Sequence, residues 1–128
     1  LLAALPATAW TVVTSGGREL AQARLRAAGL PIPAQIVTAD DVTQGKPAPE
    51  PYLLGAQRLG VAPTRCLVIE DAPAGIQAGR RAGMPVLSIA STHAPDELLA
   101  TGATVVVARI ADLRVKSTTD GYRLAVQW

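Results

Sequence analysis

Two adjacent carboxylates, Glu70 and Asp71, close an apolar run in the stretch CLVIEDAPAGIQAG, residues 66–79. Side by side they repel, so some partner must offset the repulsion. Neighbouring side chains at a strand end point to opposite sides, and one carboxylate can hold a hard cation while the other holds a coordinating water or a nearby loop. Magnesium takes oxygen ligands, keeps several waters and is commonly held by one or two carboxylates together with a substrate phosphate. The same position equally allows Asp71 to cap a helix opening at Pro73. A second group lies at Thr14-Ser15-Gly16-Gly17, where a β-branched run ends in a hydroxyl followed by small residues whose N–H groups can approach an anion. That tetrapeptide also suits an ordinary helix cap and turn. The third is Lys46, set between Gly45 and Pro47 in GKPAPEPY. The prolines at 47, 49 and 51 stiffen the chain, so the point of departure of the lysine is fixed while its stem can still reach a phosphoryl oxygen. A lone loop lysine is usually a solvated charge, and only the company of the other two groups favours a phosphate site.

The elements that must position these groups follow one rhythm: an apolar strand, a turn bearing Gly or Pro, then a helix. Residues 9–14 (AWTVVT), 35–39 (QIVTA), 66–70, 85–90 (PVLSIA) and 104–108 (TVVVA) read as strands. Helices are predicted over about 17–28, with Ala21, Leu25 and Ala28 on one face, over about 50–59 with Tyr52, Ala56 and Leu59 buried, over 73–83 and over 95–102. Such alternation predicts an α/β fold, a parallel sheet with helices on both faces. Ligands of such sheets sit beyond the carboxyl ends of the strands, where all three polar groups fall. Residues 1–114 are assigned to this core and 115–128 to a C-terminal edge strand or hairpin, on the Asp120-Gly121 turn signal.

Composition narrows the remaining classes. The chain has 128 residues, 49% hydrophobic and 17% charged, enough for one folded domain. A net charge of +2, no phenylalanine and no dense basic run argue against nucleic acid as partner. No apolar run approaches the length of a membrane span, so neither a membrane partner nor an anchor is expected, and the cytoplasm is the expected location. The single cysteine, Cys66, fits a reducing compartment and reads as a packed strand residue. His93 reads as a structural loop residue, and Asp40-Asp41 as a turn or helix cap with no third metal ligand beside it. Trp10 and Trp128 are too far apart in sequence to argue as a stacking platform. The opening LLAALPATAW, without methionine, reads as the last turns of a helix already under way.

In order, VVTSGGRE, GKPAPEPYL and VIEDAPAGIQAGRRAGM resemble the second, third and fourth motifs of the haloacid-dehalogenase-like phosphatases, with STH at 91–93 extending the likeness over nearly the whole chain. The likeness is greatest to the small sugar- and polyol-phosphate phosphatases and to their β-phosphoglucomutase relatives. It implies a three-layer Rossmann-like core and a Mg²⁺-dependent phosphatase acting on a small sugar or polyol phosphate. By resemblance, Thr14, the Ser15 amide and Gly16 hold phosphate oxygens, and Lys46 balances charge at the reacting centre. Asp71 ligates Mg²⁺ with Glu70 assisting through water, and Arg18 reaches the distal side of the substrate.

The chain departs from that pattern at one decisive place. The family's first motif, Asp-x-Asp-Gly on the first strand, supplies the nucleophile and the acid-base aspartate, and it occurs nowhere in this sequence. The helical cap between the first and second motifs is missing too. The chain therefore reads as the carboxyl-terminal portion of such an enzyme, inactive alone. The first strand would lie between residues 9–14 and 66–70. Its loss leaves two ladders open and forfeits roughly 1.5–3 kcal/mol for each large apolar side chain, against a whole-domain stability of about 5–15 kcal/mol. Aggregation, pairing of the two exposed strands, or self-association that supplies a strand is the expected consequence. The alternatives are a catalytically dead phosphate-binding module and a strand-deficient fragment completed by a partner chain.

Overall fold

Prolines in the first turn of three of the four α-helices and glycines just beyond the last turn set the helix limits in the computed structural model, which describes residues 1–127; Trp128 lies outside the described residues. The helices are α1 (Arg18–Ala27), α2 (Glu50–Leu59), α3 (Pro73–Arg81) and α4 (Pro95–Thr101). Gly60 and Gly102 end α2 and α4 with φ of 69° and 119°, a region closed to most L-residues. Within α1 only Ala21 is buried, and Ala28 at its end is exposed where an apolar contact was expected.

Three strands, β1 (Val68–Glu70), β2 (Val86–Ile89) and β3 (Val105–Val107), form a parallel sheet in the order β1-β2-β3. Val68 pairs with Val86, and Leu87 with Val105. The crossovers from β1 to β2 and from β2 to β3 run in the same direction, and α3 and α4 lie on the same face. The pleat then divides the side chains between the two faces. Val68, Val86 and Val106 face Ile76 and Ala78 of α3, Leu98 of α4, and Tyr52 and Ala56 of α2. Ile69, Leu87, Ile89 and Val107 turn the other way and meet Leu113, Val126 and Leu1. The cover on that second face is thus the C-terminal hairpin, β4 (Leu113–Thr118) and β5 (Gly121–Val126), where helices were expected. The hairpin begins two residues before the predicted boundary at 115, because Leu113 is 3% exposed and belongs to the core. It is tied back by the Arg65 guanidinium, which donates to the Asp120 carbonyl, and by Gln127 N donating to Asp112 O at 2.8 Å.

Segments 9–14 and 35–39 differ from their expected state. They meet in a single parallel bridge, Val13 to Val37, closed by Thr14 N to Val37 O at 3.0 Å and Val37 N to Val12 O at 2.9 Å. A run with a strand on one side only has half the hydrogen bonds that extend a ladder, and here it stops at one residue pair. The two pieces of sheet do not join. Among the described residues no strand pairs with the outer edge of β1, so pairing of 9–14 with 66–70, one of the three consequences expected of the missing strand, does not occur.

Candidate active-site cleft

The carboxyl ends of segment 11–14, β1 and β2 surround a cleft of about 650 Å³. Thr14, Ser15, Lys46, Glu70 and Asp71 all line it, with Ser91 and Gly75 beside them and Ile69, Ile89 and Ile110 as apolar wall. The cleft opens between the Val13–Val37 bridge and β1, and Lys46 spans the two through Val13 O and Glu70.

Local contacts fix each group. The Thr14 backbone is clamped to Val37, and its Oγ1 accepts from Gly16 N at 3.1 Å, which leaves the hydroxyl proton free to donate into the cleft. Gly16 shapes this turn without lining the cleft. The Ser15 amide is engaged by no other described residue. Lys46 leaves a loop held at both ends. Glu50, at the start of α2, accepts from the amides of Thr43 at 2.9 Å and Gln44 at 2.8 Å, and Arg81 donates to Pro47 O at 3.1 Å. The Lys46–Pro47 peptide is cis. The ammonium reaches across the open edge, donating to Val13 O at 3.0 Å and to Glu70 Oε1 at 2.5 Å.

Glu70 is the hub of the cleft. Oε1 accepts from Lys46 and from the Tyr52 hydroxyl at 2.6 Å, and Oε2 accepts from the amides of Asp71 at 3.1 Å and Ala72 at 3.3 Å. Four donors fill the four acceptor positions of a carboxylate. Burial works to raise this carboxyl, but the Lys46 ammonium and the hydrogen bonds from Lys46, Tyr52 and Asp71 outweigh it and hold Glu70 below the usual glutamate range. The carboxylate lies over Gly75 so closely that a Cβ there would stand 2.0 Å from Oε1.

Asp71 is differently placed. It is exposed, and its one side-chain contact is a long one, Ser91 Oγ to Oδ2 at 3.4 Å. It does not cap α3, whose N-cap residue is Ala72 with no side-chain cap bond. Among the described residues no group of three or more His, Cys, Asp and Glu could hold a metal ion. Asp71 is thus the carboxylate of the cleft lining whose oxygens are not filled by protein donors, and a hard cation held there would need waters or a ligand to complete its shell. Glu70 has no acceptor position left for a metal-bound water.

Arg18 is not brought to the cleft. Its guanidinium is held by Asp41 at 2.6 and 2.8 Å, and its amide donates to Asp40 Oδ2 at 2.9 Å. Asp41 also closes a capping box with Thr38 and pairs with Arg58 at 3.1 Å. Bonds from Arg58, Thr38 and Arg18 outweigh burial and hold its carboxyl far below the ordinary aspartate range. The pair Asp40-Asp41 is thus a capping and ion-pair element. His93 lies outside the cleft lining, its Nδ1 3.0 Å from Thr92 Oγ1, and burial pushes the Cys66 thiol up. Two residues of the site were missed in the sequence: Tyr52, read there as core alone, and Ser91, noted only within STH.

A family model described as haloacid dehalogenase-like hydrolase matches residues 2–83. The chain belongs to the haloacid dehalogenase-like hydrolases. Its relatives within that family include hexitol phosphatase A of Escherichia coli K12, 54% identical over 62% of this chain and 37% of that protein. Glycerol-1-phosphate phosphohydrolase 2 of Saccharomyces cerevisiae is 42% identical over 89% of this chain and 48% of its own length. A crystal structure of a haloacid-dehalogenase-family hydrolase from Deinococcus radiodurans R1, with bound phosphate and sodium, is 32% identical with a TM-score of 0.70, over 78% of this chain and 48% of that one. The chain spans half or less of the length of these relatives. Among its described residues no helix is long and apolar enough to cross a membrane.

Proposed function

We propose that the cleft is the phosphate-stabilising half of a Mg²⁺-dependent phosphatase site for a small sugar or polyol phosphate. The observation that carries the reading is the convergence of Thr14, Ser15, Lys46 and Asp71 on one cleft. The similarity to phosphatases of hexitol and glycerol phosphates supports the substrate class, and the phosphate in the Deinococcus radiodurans hydrolase supports the ligand. In this reading the Thr14 hydroxyl and the Ser15 amide donate to two phosphoryl oxygens. The Lys46 ammonium, with protons already given to Glu70 and Val13, gives its third to another. Asp71 would hold Mg²⁺, which supplies charge neutralisation to the phosphoryl group. Each group stabilises charge, and none of them is a nucleophile. With no Asp-x-Asp-Gly in the sequence, this chain by itself forms no aspartyl-phosphate and releases no phosphate from a polyol phosphate.

Acetylation of the chain's two lysines, Lys46 and Lys116, tests the reading because Lys116 serves as an internal control. Inorganic phosphate with MgCl₂ is expected to slow acetylation of Lys46 and leave Lys116 unchanged, and equal rates with and without phosphate would overturn it. The reading also carries a cytoplasmic setting, with which the lone cysteine is consistent. The unpaired edge of β1 favours a second element of function, self-association through that edge.

A further inference from the structure

A phenylalanine at position 52 would fill the same space in the core, yet the residue there is a tyrosine with its hydroxyl turned to the cleft. Tyr52 is the third residue of α2 and is 8% exposed. Its hydroxyl donates to Glu70 Oε1 at 2.6 Å, and its ring face lies 4.8 Å from the Lys46 ammonium, within cation–π range. One side chain therefore touches both members of the pair that closes the cleft wall.

An ammonium has three protons to donate. Lys46 gives one to Glu70 and one to Val13 O, and the ring covers a further side. We propose that Tyr52 is a positioning residue: its hydroxyl fixes the Glu70 carboxylate and its ring backs the ammonium, so that the remaining proton of Lys46 is aimed into the cleft. The consequence for ligand binding rests on the phosphate reading given above. Without the hydroxyl, Oε1 loses one of its two donors and is free to turn toward Lys46, drawing the ammonium away from the position a phosphoryl oxygen would take. Burial, with the charge of Glu70 next to it, pushes the phenol far above the ordinary tyrosine range, which keeps the proton on the hydroxyl.

The test follows the Lys46 ammonium by NMR in the whole chain, with Lys116 as reference, and measures affinity for inorganic phosphate. In the unmodified protein a nuclear Overhauser contact between the Tyr52 ring and the Lys46 stem is expected, and its absence would overturn the proposal without any variant. Tyr52→Phe is expected to shift the Lys46 ammonium resonance, leave that of Lys116 in place, and weaken phosphate binding roughly tenfold as the ammonium is drawn toward Glu70. Tyr52→Leu is expected to remove the ring-current shift of Lys46 as well. An unchanged Lys46 resonance in Tyr52→Phe, whatever happens to Tm, would reduce Tyr52 to a core residue. A shifted resonance with unchanged phosphate affinity overturns the proposal as well. Should the unmodified chain bind no phosphate while the resonance still shifts, the positioning geometry stands and the phosphate reading is the part that falls.

Discussion

Glu70 and Lys46 share one hydrogen bond with side chains 9% and 10% exposed, so either without the other is a nearly buried charge. Breaking such a pair by removing one partner costs about 3 kcal/mol or more, and Lys46→Met is expected to lose about that much at neutral pH. The sign of the pH dependence follows from the lowered Glu70 carboxyl. A group whose folded-state pKa lies below its unfolded value stabilises the fold above the unfolded value, about 4.3 for glutamate, and that contribution fades as pH falls further. In Lys46→Met the carboxylate is buried without its cation and is relieved by taking a proton. The Tm gap between the two proteins should therefore narrow from pH 7 toward pH 4, and a gap independent of pH would contradict the account. At this scale much is legible in the sequence: Thr14, Ser15, Glu70 and Asp71 stand out as polar groups closing apolar runs, and Lys46 as a lysine set among prolines. Tyr52 is not, because an aromatic residue on the buried face of a helix gives no sign in sequence of where its hydroxyl points. Nor is the split between the two carboxylates, since adjacency in sequence says nothing of which one the backbone amides will fill.

Among the elements, α3 carries the most constrained positions. A Cβ at Gly75 would meet Glu70 Cδ and Oε1 at 2.0 Å, and one at Gly79 would meet Val86 Cγ2 at 2.8 Å. Both substitutions overpack, at a cost of about 1–3 kcal/mol each, but they differ in consequence. Gly79→Ala is expected to lower Tm and leave phosphate affinity unchanged, whereas Gly75→Ala is expected to displace the Glu70 carboxylate and weaken phosphate binding as well. Equal phosphate affinity in the two variants would contradict the hub assigned to Glu70. On segment 11–14 the Thr11 hydroxyl is buried with no partner among the described residues. Thr11→Val removes that unpaired group and should raise stability by about 1 kcal/mol, read from denaturant midpoints. The helices were legible within a residue or two because their limits are set by prolines and glycines in the sequence itself. Segments 9–14 and 35–39 were over-read as strands. β-branched composition states a preference, but a ladder exists only where a second strand supplies its donors and acceptors.

Taken whole, the molecule is a sheet covered on one face by α2, α3 and α4 and on the other by its own hairpin, with the outer edge of β1 unpaired among the described residues. Leu67, the residue before β1, is 42% exposed. Sedimentation is expected to show association above the 13.2 kDa monomer that increases with concentration, and Leu67→Lys, a charge at an open edge, should suppress it. A monomer at every concentration would contradict the association. The hairpin on the second face was legible as a turn in Asp120-Gly121, but its role as cover was not, since that depends on both crossover helices lying on the opposite face. The central claim is that one cleft at the carboxyl end of this sheet holds a phosphate dianion, and an amide-resolved NMR titration with inorganic phosphate in the presence of MgCl₂ tests it most directly. The account predicts that the amides of Ser15, Gly16 and Asp71 shift together along one binding curve while those of α1 beyond Arg18 and of the hairpin stay in place. Shifts confined to surface arginines, or none at Ser15 at any phosphate concentration the protein tolerates, would contradict it.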